Sequence, residues 1–163
     1  MEIQKNLFDL NYEQLKGFLS KEIGIDEKKL NMRSQQIFTA VYQKSLKNFQ
    51  NLTTIPLDLR KKLDIKLSLN NPEVVETHNS SDGTIKFLVK LSDGNKVECV
   101  YIPEKTRGTI CISSQVGCSL TCTFCRSGTQ RLVKNLKPSE IIGQIMLVKN
   151  ILKDWSDKKI ISN

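Results

Sequence analysis

The chain has 163 residues, 39% of them hydrophobic, and its 25 lysine and arginine residues against 17 acidic residues give a net charge of +8. This length allows one domain with a real core, or a small domain plus part of another. No apolar run approaches the roughly 18 residues that a membrane helix needs, and the polar start of the chain lacks the features of a signal or transit peptide. We therefore expect a cytoplasmic protein with no membrane partner. The positive charge favours a polyanionic partner such as nucleic acid.

The first part of the chain, residues 1–70, has the apolar spacing of helices. Asn11 is placed to cap a helix that begins at Tyr12, where apolar residues recur at i, i+3 and i+4. A second helix is predicted from about Ser34, and Pro56 is predicted at the first position of a third. We expect a small helical domain here, which either contacts RNA or uses its apolar faces only to pack its own core.

From residue 71 to residue 104 the pattern becomes that of β-strands. Apolar and polar residues alternate over residues 85–91 and 97–101, and an Asp-Gly turn precedes each run. Alternating runs joined by such turns predict antiparallel β-hairpins.

The last part, residues 105–163, begins with a predicted strand over residues 109–113. A cysteine-rich loop follows, then a helix from Pro138, and then the predicted start of another strand at residues 158–163. This order is that of a βα repeat, which needs several copies to complete a parallel sheet. We therefore expect an N-terminal fragment of a longer protein; the alternative is a short sheet that another chain completes.

Three cysteines, Cys118, Cys122 and Cys125, form a C-x3-C-x2-C motif. A 4Fe–4S cluster normally takes four cysteine thiolates, so three local ones leave one iron open. An open iron is what radical S-adenosylmethionine (SAM) enzymes require, because the amine and carboxylate of SAM bind there. The spacing therefore predicts a 4Fe–4S cluster and SAM as cofactors.

Other uses of the cysteines are less consistent with the sequence. A structural zinc ion needs four ligands, but His78 is far from the motif and neither Cys99 nor Cys111 has the required spacing. A disulfide framework fits poorly with an odd count of five cysteines. Four basic residues follow the motif closely and are candidates for RNA contact: Arg126, Arg131, Lys134 and Lys137.

Three blocks of the sequence carry a family resemblance: residues 97–104, 109–118 and 135–144. They closely resemble the bacterial dual-specificity RNA adenine-C2 methyltransferases, which are radical SAM enzymes. The resemblance implies an activity on an adenine of 23S ribosomal RNA and on an adenine of the tRNA anticodon loop. It also implies a core that begins a partial (β/α)6 barrel, a monomeric protein and an electron donor such as a flavodoxin-type protein.

The resemblance implies roles for the cysteine loop. Cys118, Cys122 and Cys125 match the cluster ligands, and Phe124 matches a position whose aromatic ring packs near SAM. The alternative for Phe124 is packing within the loop.

The resemblance also implies two catalytic residues. Glu98 matches the proton acceptor; its alternative is a surface charge on a strand. Cys111 matches a cysteine that forms a transient disulfide with a second, methyl-carrying cysteine; its alternative is a small apolar residue in a buried strand. Cys99 matches no role and is interpreted as structural.

In the family's scheme one SAM methylates a cysteine, and a second SAM supplies the radical that activates this methyl group. The methyl-carrying cysteine is expected late in a full-length member, and no cysteine follows Cys125. A Gly-Glu SAM-binding motif is absent too, so we expect residues 1–163 to be inactive alone. The alternatives are a non-catalytic iron–sulfur or RNA-binding module and a zinc-binding interaction domain.

Overall fold

The computed structural model describes residues 4–120, 122–156 and 159–162. The chain forms two compact units, Met1–Asn70 and Asn71–Asn163. The division into functional segments 1–70, 71–104 and 105–163 stays a prediction. No helix in the described part of the chain is long and apolar enough to cross a membrane.

The first unit contains three α-helices and one short strand pair. The helices are α1 (Tyr12–Lys21), α2 (Glu27–Gln43) and α3 (Leu57–Lys66). Strands β1 (Lys5–Asn6) and β2 (Leu67–Ser68) pair in parallel and join the two ends of the unit. This strand pair was not predicted, because each strand has only two residues and is too short to show the alternation of apolar and polar residues. The fully buried side chains of this core are Leu7, Leu15, Leu19, Ile37, Val41, Phe49, Ile55, Leu63 and Leu67.

The helix starts follow capping chemistry. The Asn11 side chain accepts a hydrogen bond from the Gln14 N–H at 2.9 Å, and the Gln14 side chain accepts one from the Asn11 N–H at 2.9 Å, so α1 begins where predicted. The prediction for α2 was wrong by about two turns, because Asp26 caps the helix by accepting from the Lys28 N–H at 2.8 Å. Ser34 is instead buried inside α2.

The second unit is built on a four-stranded antiparallel sheet in the order β3-β4-β5-β6. The strands are β3 (Glu73–Asn79), β4 (Ile85–Lys90), β5 (Lys96–Pro103) and β6 (Gly108–Cys111). The predicted hairpins are therefore present. Helix α4 (Pro138–Ile151) packs on one face of the sheet. The buried core between them contains Phe87, Val89, Val97, Cys99, Tyr101, Ile110, Leu136 and Val148.

After α4 the chain returns to the free edge of β6. Gly108 and Ile161 form a parallel bridge, and the Ser162 N–H donates to the Gly108 carbonyl at 3.0 Å. The buried carboxylate of Asp154 accepts from the Ile160 N–H at 2.6 Å and fixes this return. A strand, a helix and then a parallel bridge back to that strand follow one another, which is the order at the start of a βα repeat. Lys158 and Asn163 of the predicted last strand lie outside the described residues. A (β/α)6 barrel stays a prediction.

Candidate active site

The cysteine loop is bracketed by two short strands, β7 (Gln115–Val116) and β8 (Lys134–Asn135), which pair antiparallel. At its base the Cys118 N–H donates to the Gln130 carbonyl at 3.2 Å, and near its tip the Cys125 N–H donates to the Cys122 carbonyl at 3.2 Å. The backbone thus curls the three cysteines of the motif onto one loop.

The three loop thiols have the chemistry that an iron–sulfur cluster needs. All three are free and partly buried, and the Leu120 N–H donates to Cys118 Sγ at 3.3 Å. Hydrogen bonds to sulfur tune the potential of a bound cluster. The donor set therefore fits the cluster. Among the described residues, however, no three His, Cys, Asp or Glu side chains are arranged as a metal-binding group, so their convergence stays a prediction.

Phe124 projects from the same loop and is 92% exposed. This exposure disagrees with the alternative in which its ring packs within the loop. The ring lies next to Cys125 in the sequence and is free to contact a ligand there.

Glu98 and Cys111 lie on the face of the sheet opposite to α4. Cys111 is directly across from Val100, which follows Glu98 on the same face of β5. Diagonal neighbours of this kind lie about 7–8 Å apart in an antiparallel pair. Cys111 is exposed, so the alternative of a small apolar residue in a buried strand was wrong. The structure therefore brings both candidate catalytic residues onto one accessible face.

The Glu98 carboxylate has a cationic neighbour on the adjacent strand. Lys86 Nζ lies 3.0 Å from Glu98 Oε1, and the two side chains are 44% and 57% exposed. An exposed pair of this kind contributes only about 0–1 kcal/mol to stability. The pair places a positive charge beside the carboxylate on the open face of the sheet.

Cys99 lies on the opposite, buried face of β5. Burial, and secondarily the neighbouring Cys111, raise the pKa of the Cys99 thiol to about 11. The thiol is thus protonated at neutral pH and unreactive, which agrees with its interpretation as a structural residue. All five cysteines, which lie within the described part of the chain, are free of disulfides.

Gln144 organises the site, and sequence reasoning gave it no role. Its side chain is fully buried, accepts from the Ser113 N–H at 2.9 Å and donates to the Ser113 carbonyl at 2.9 Å. Ser113 Oγ in turn donates to the Glu98 carbonyl at 2.7 Å. One feature of the sequence could have indicated this role. Gln144 comes three residues after Ile141 and four before Val148, so its amide lies on the apolar side of α4. Gln144 thereby fixes the segment that joins Cys111 to the cysteine loop.

The predicted basic group after the cysteine motif is only partly available for RNA. Lys134 Nζ forms ion pairs with the carboxylates of Asp93 and, at 2.7 Å, Glu140. Its charge is thus used to join β8 to the β4–β5 turn and to α4. Arg126, Arg131 and Lys137 are exposed.

Replacing Lys134 with methionine should change the titration of Asp93. The hydrogen bond from Lys134, and then that from the Asn95 N–H, lower the pKa of Asp93 to about 2 from 3.8. Because the pKa is lowered, the stabilisation is present above the ordinary aspartate pKa and is lost as the pH falls towards about 2. Carboxyl NMR should show the Asp93 pKa rising in Lys134→Met and unchanged in Lys137→Met. An unchanged pKa in Lys134→Met would contradict the ion pair.

Gly117 sets the entry into the cysteine loop, and alanine should not be tolerated there. Its φ is +76°, and an added Cβ would lie 2.0 Å from the Arg131 carbonyl oxygen. Gly94 is a matched control, with φ +88° and no atom within 4 Å of an added Cβ. Gly94→Ala should cost about 1 kcal/mol through backbone strain alone. Gly117→Ala should lower the free energy of unfolding in urea clearly more than Gly94→Ala does, and it should also lower iron binding. Equal losses of stability in the two variants would show that the base of the loop accommodates the added methyl group.

The whole chain resembles a solved methyltransferase. A crystal structure of a radical SAM methyltransferase from Sphaerobacter thermophilus matches with a TM-score of 0.82 and 29% identity, over 98% of this chain and 45% of that chain. The fold is therefore similar to that of the first part of a radical SAM methyltransferase.

Comparison of sequences gives more specific similarities. Residues 5–68 match the ribosomal RNA large subunit methyltransferase N-terminal domain. The dual-specificity RNA methyltransferase RlmN of Ruegeria sp. is 46% identical over 92% of this chain, and that of Jannaschia sp. is 48% identical over 92%. The chain is thus similar over most of its length to the N-terminal part of RlmN methyltransferases, and it spans 38% of the length of these two relatives.

Proposed function

We propose that the chain forms the N-terminal part of an RNA methyltransferase that methylates C2 of adenine in 23S rRNA and in the tRNA anticodon loop. The observation that carries this proposal is the open sheet face that presents Glu98 and Cys111 together, with the cysteine loop directly after β6. The similarity to dual-specificity relatives supports both substrates.

The loop residues bind the cofactors in this proposal. Cys118, Cys122 and Cys125 hold a 4Fe–4S cluster, which when bound supplies the electron for reductive cleavage of SAM. Phe124, exposed beside the last ligand, packs against SAM. The hydrogen bond from the Leu120 N–H keeps one sulfur oriented before the cluster binds.

The sheet residues act on the RNA. Glu98, which the alternation of β5 places on the open face, accepts the proton that leaves carbon 2 of the adenine, and Lys86 lies beside its carboxylate. The Cys111 thiolate then attacks the sulfur of a methyl-carrying cysteine and forms a disulfide with it. The bond between that sulfur and the transferred carbon breaks, its electron pair stays with the carbon, and the carbon takes up a proton to become the methyl group. The partner cysteine lies outside this chain. A monomeric state, a cytoplasmic location and a flavodoxin-type donor stay predictions.

A chimera tests this function. Residues 5–162 replace the matching segment of the Ruegeria relative in cells that lack their own enzyme, and mass spectrometry measures 2-methyladenosine in rRNA and tRNA. We expect the modification from the chimera, and none when it carries Glu98→Gln or Cys111→Ala. A chimera that is folded and loaded with iron, yet leaves both RNAs unmodified, would contradict the proposal.

A further inference from the structure

Two lysines face each other on the open side of the β4–β5 ladder. Lys90 and Lys96 are directly opposite in register, and both are exposed. Opposite residues of an antiparallel pair have Cβ atoms about 4.5–5.5 Å apart, and like charges at such positions destabilise the sheet. The contact between these two ammonium groups therefore does not stabilise the sheet.

The nearest carboxylates do not form ion pairs with the two lysines. Glu98 is already paired with Lys86. Glu73 is exposed, lies directly opposite Lys90 on β3 and is its cross-strand neighbour on the same face of the sheet. Within the described part of the chain, no ion pair joins Lys90 or Lys96 to any carboxylate.

The pair lies next to the candidate proton acceptor. The Leu88–Glu98 pair is the adjacent outward-facing rung of the same ladder. At a rise of about 3.3 Å per residue, the lysines are about 7 Å along the strands from Glu98. Enzymes that act on a base take it out of the stack, and contacts to the backbone beside the base then fix its position.

We propose that Lys90 and Lys96 together bind a phosphodiester group of the RNA, next to the adenine held at Glu98. The proposal rests on the proposed function and adds the surface that positions the RNA backbone. A phosphate between the two ammonium groups converts their repulsion into two charge-assisted contacts. The competing account is a solvated lysine face, such as that of the adjacent exposed residues Lys61 and Lys62 on α3.

The test compares RNA binding by three double variants of the 163-residue protein. The probe is a synthetic tRNA anticodon stem-loop, titrated over a series of salt concentrations. The variant Lys90→Met/Lys96→Met removes the proposed site, Lys90→Arg/Lys96→Arg keeps its charge, and Lys61→Met/Lys62→Met is the control with the same change in net charge. Circular dichroism and urea unfolding establish that each variant is folded.

Loss of one phosphate contact should reduce the slope of log K against log salt by about 0.7–0.9. We expect this reduction, with weaker binding, for Lys90→Met/Lys96→Met only, and a wild-type slope for the arginine and control variants. Equal behaviour of the two methionine variants would overturn the phosphate site while leaving RNA binding intact. A wild-type protein that does not bind the stem-loop at any salt concentration would overturn both the site and the proposed RNA substrate.

Discussion

Replacing Cys118 with alanine should abolish the binding of a 4Fe–4S cluster. The loop offers three thiols, so the variant keeps only two, whereas a cluster normally takes four cysteine ligands. The lost sulfur is also the one that accepts the Leu120 N–H at 3.3 Å. After anaerobic reconstitution, the wild-type chain should carry about four irons with matching sulfide and a brown colour, and Cys118→Ala should carry close to none.

The matched control is Cys111→Ala, which removes a thiol from the sheet and not from the loop. Because Cys111 is exposed on β6, this variant should fold and keep its iron. Full iron content in Cys118→Ala would contradict the ligand assignment. Zinc without iron in the wild-type protein would favour the zinc-binding alternative.

Replacing Gln144 with methionine should destabilise the second unit by about 2–3 kcal/mol. Methionine fills a similar volume but loses three hydrogen bonds, two to the half-buried Ser113 backbone and one to the Glu140 carbonyl, and each contributes about 0.5–1.5 kcal/mol. Urea unfolding followed by circular dichroism measures the loss. The rate of Cys111 alkylation below the unfolding transition should also rise, because Ser113 no longer anchors the end of β6.

Gln115→Met is the control for this amide. The Gln115 side chain makes an exposed hydrogen bond to Asn135 Oδ1 at 2.8 Å, so its loss should cost only about 0.5 kcal/mol. If the two variants unfold alike, Gln144 is not an anchor of the site.

The hairpins were predictable because the residues that specify them are close together in the sequence. Asp-Gly turns and period-2 alternation specify β4 and β5 without reference to distant residues, and the observed register follows that alternation. The same alternation places Glu98 outward and Cys99 inward, so their different chemistry follows from position in the strand. The cysteine motif is apparent from spacing alone, because its three residues lie within eight positions of the sequence, and their role as cluster ligands stays a prediction.

Features that depend on distant contacts were missed or misplaced. Leu57 fits the apolar stripe of α3, yet its side chain is 52% exposed, because the core of this unit buries Leu63 and does not extend to Leu57. The start of α2 was misplaced because the Asp26 cap was overlooked and apolar spacing alone was used. The role of Gln144 depends on Ser113, 31 residues away, and no local pattern encodes such a pairing.

The meander of β3 to β6 also has a consequence for synthesis of the protein. Each strand pairs with its sequence neighbours, so its contacts are local, and local contacts form quickly. A nascent chain folds from its N-terminal side as it lengthens, and the meander is complete at Cys111, before any cysteine of the loop has been added. We therefore expect the loop thiols to leave the ribosome beside strands that have already paired, and α4, which follows the loop, then covers the apolar face of the sheet.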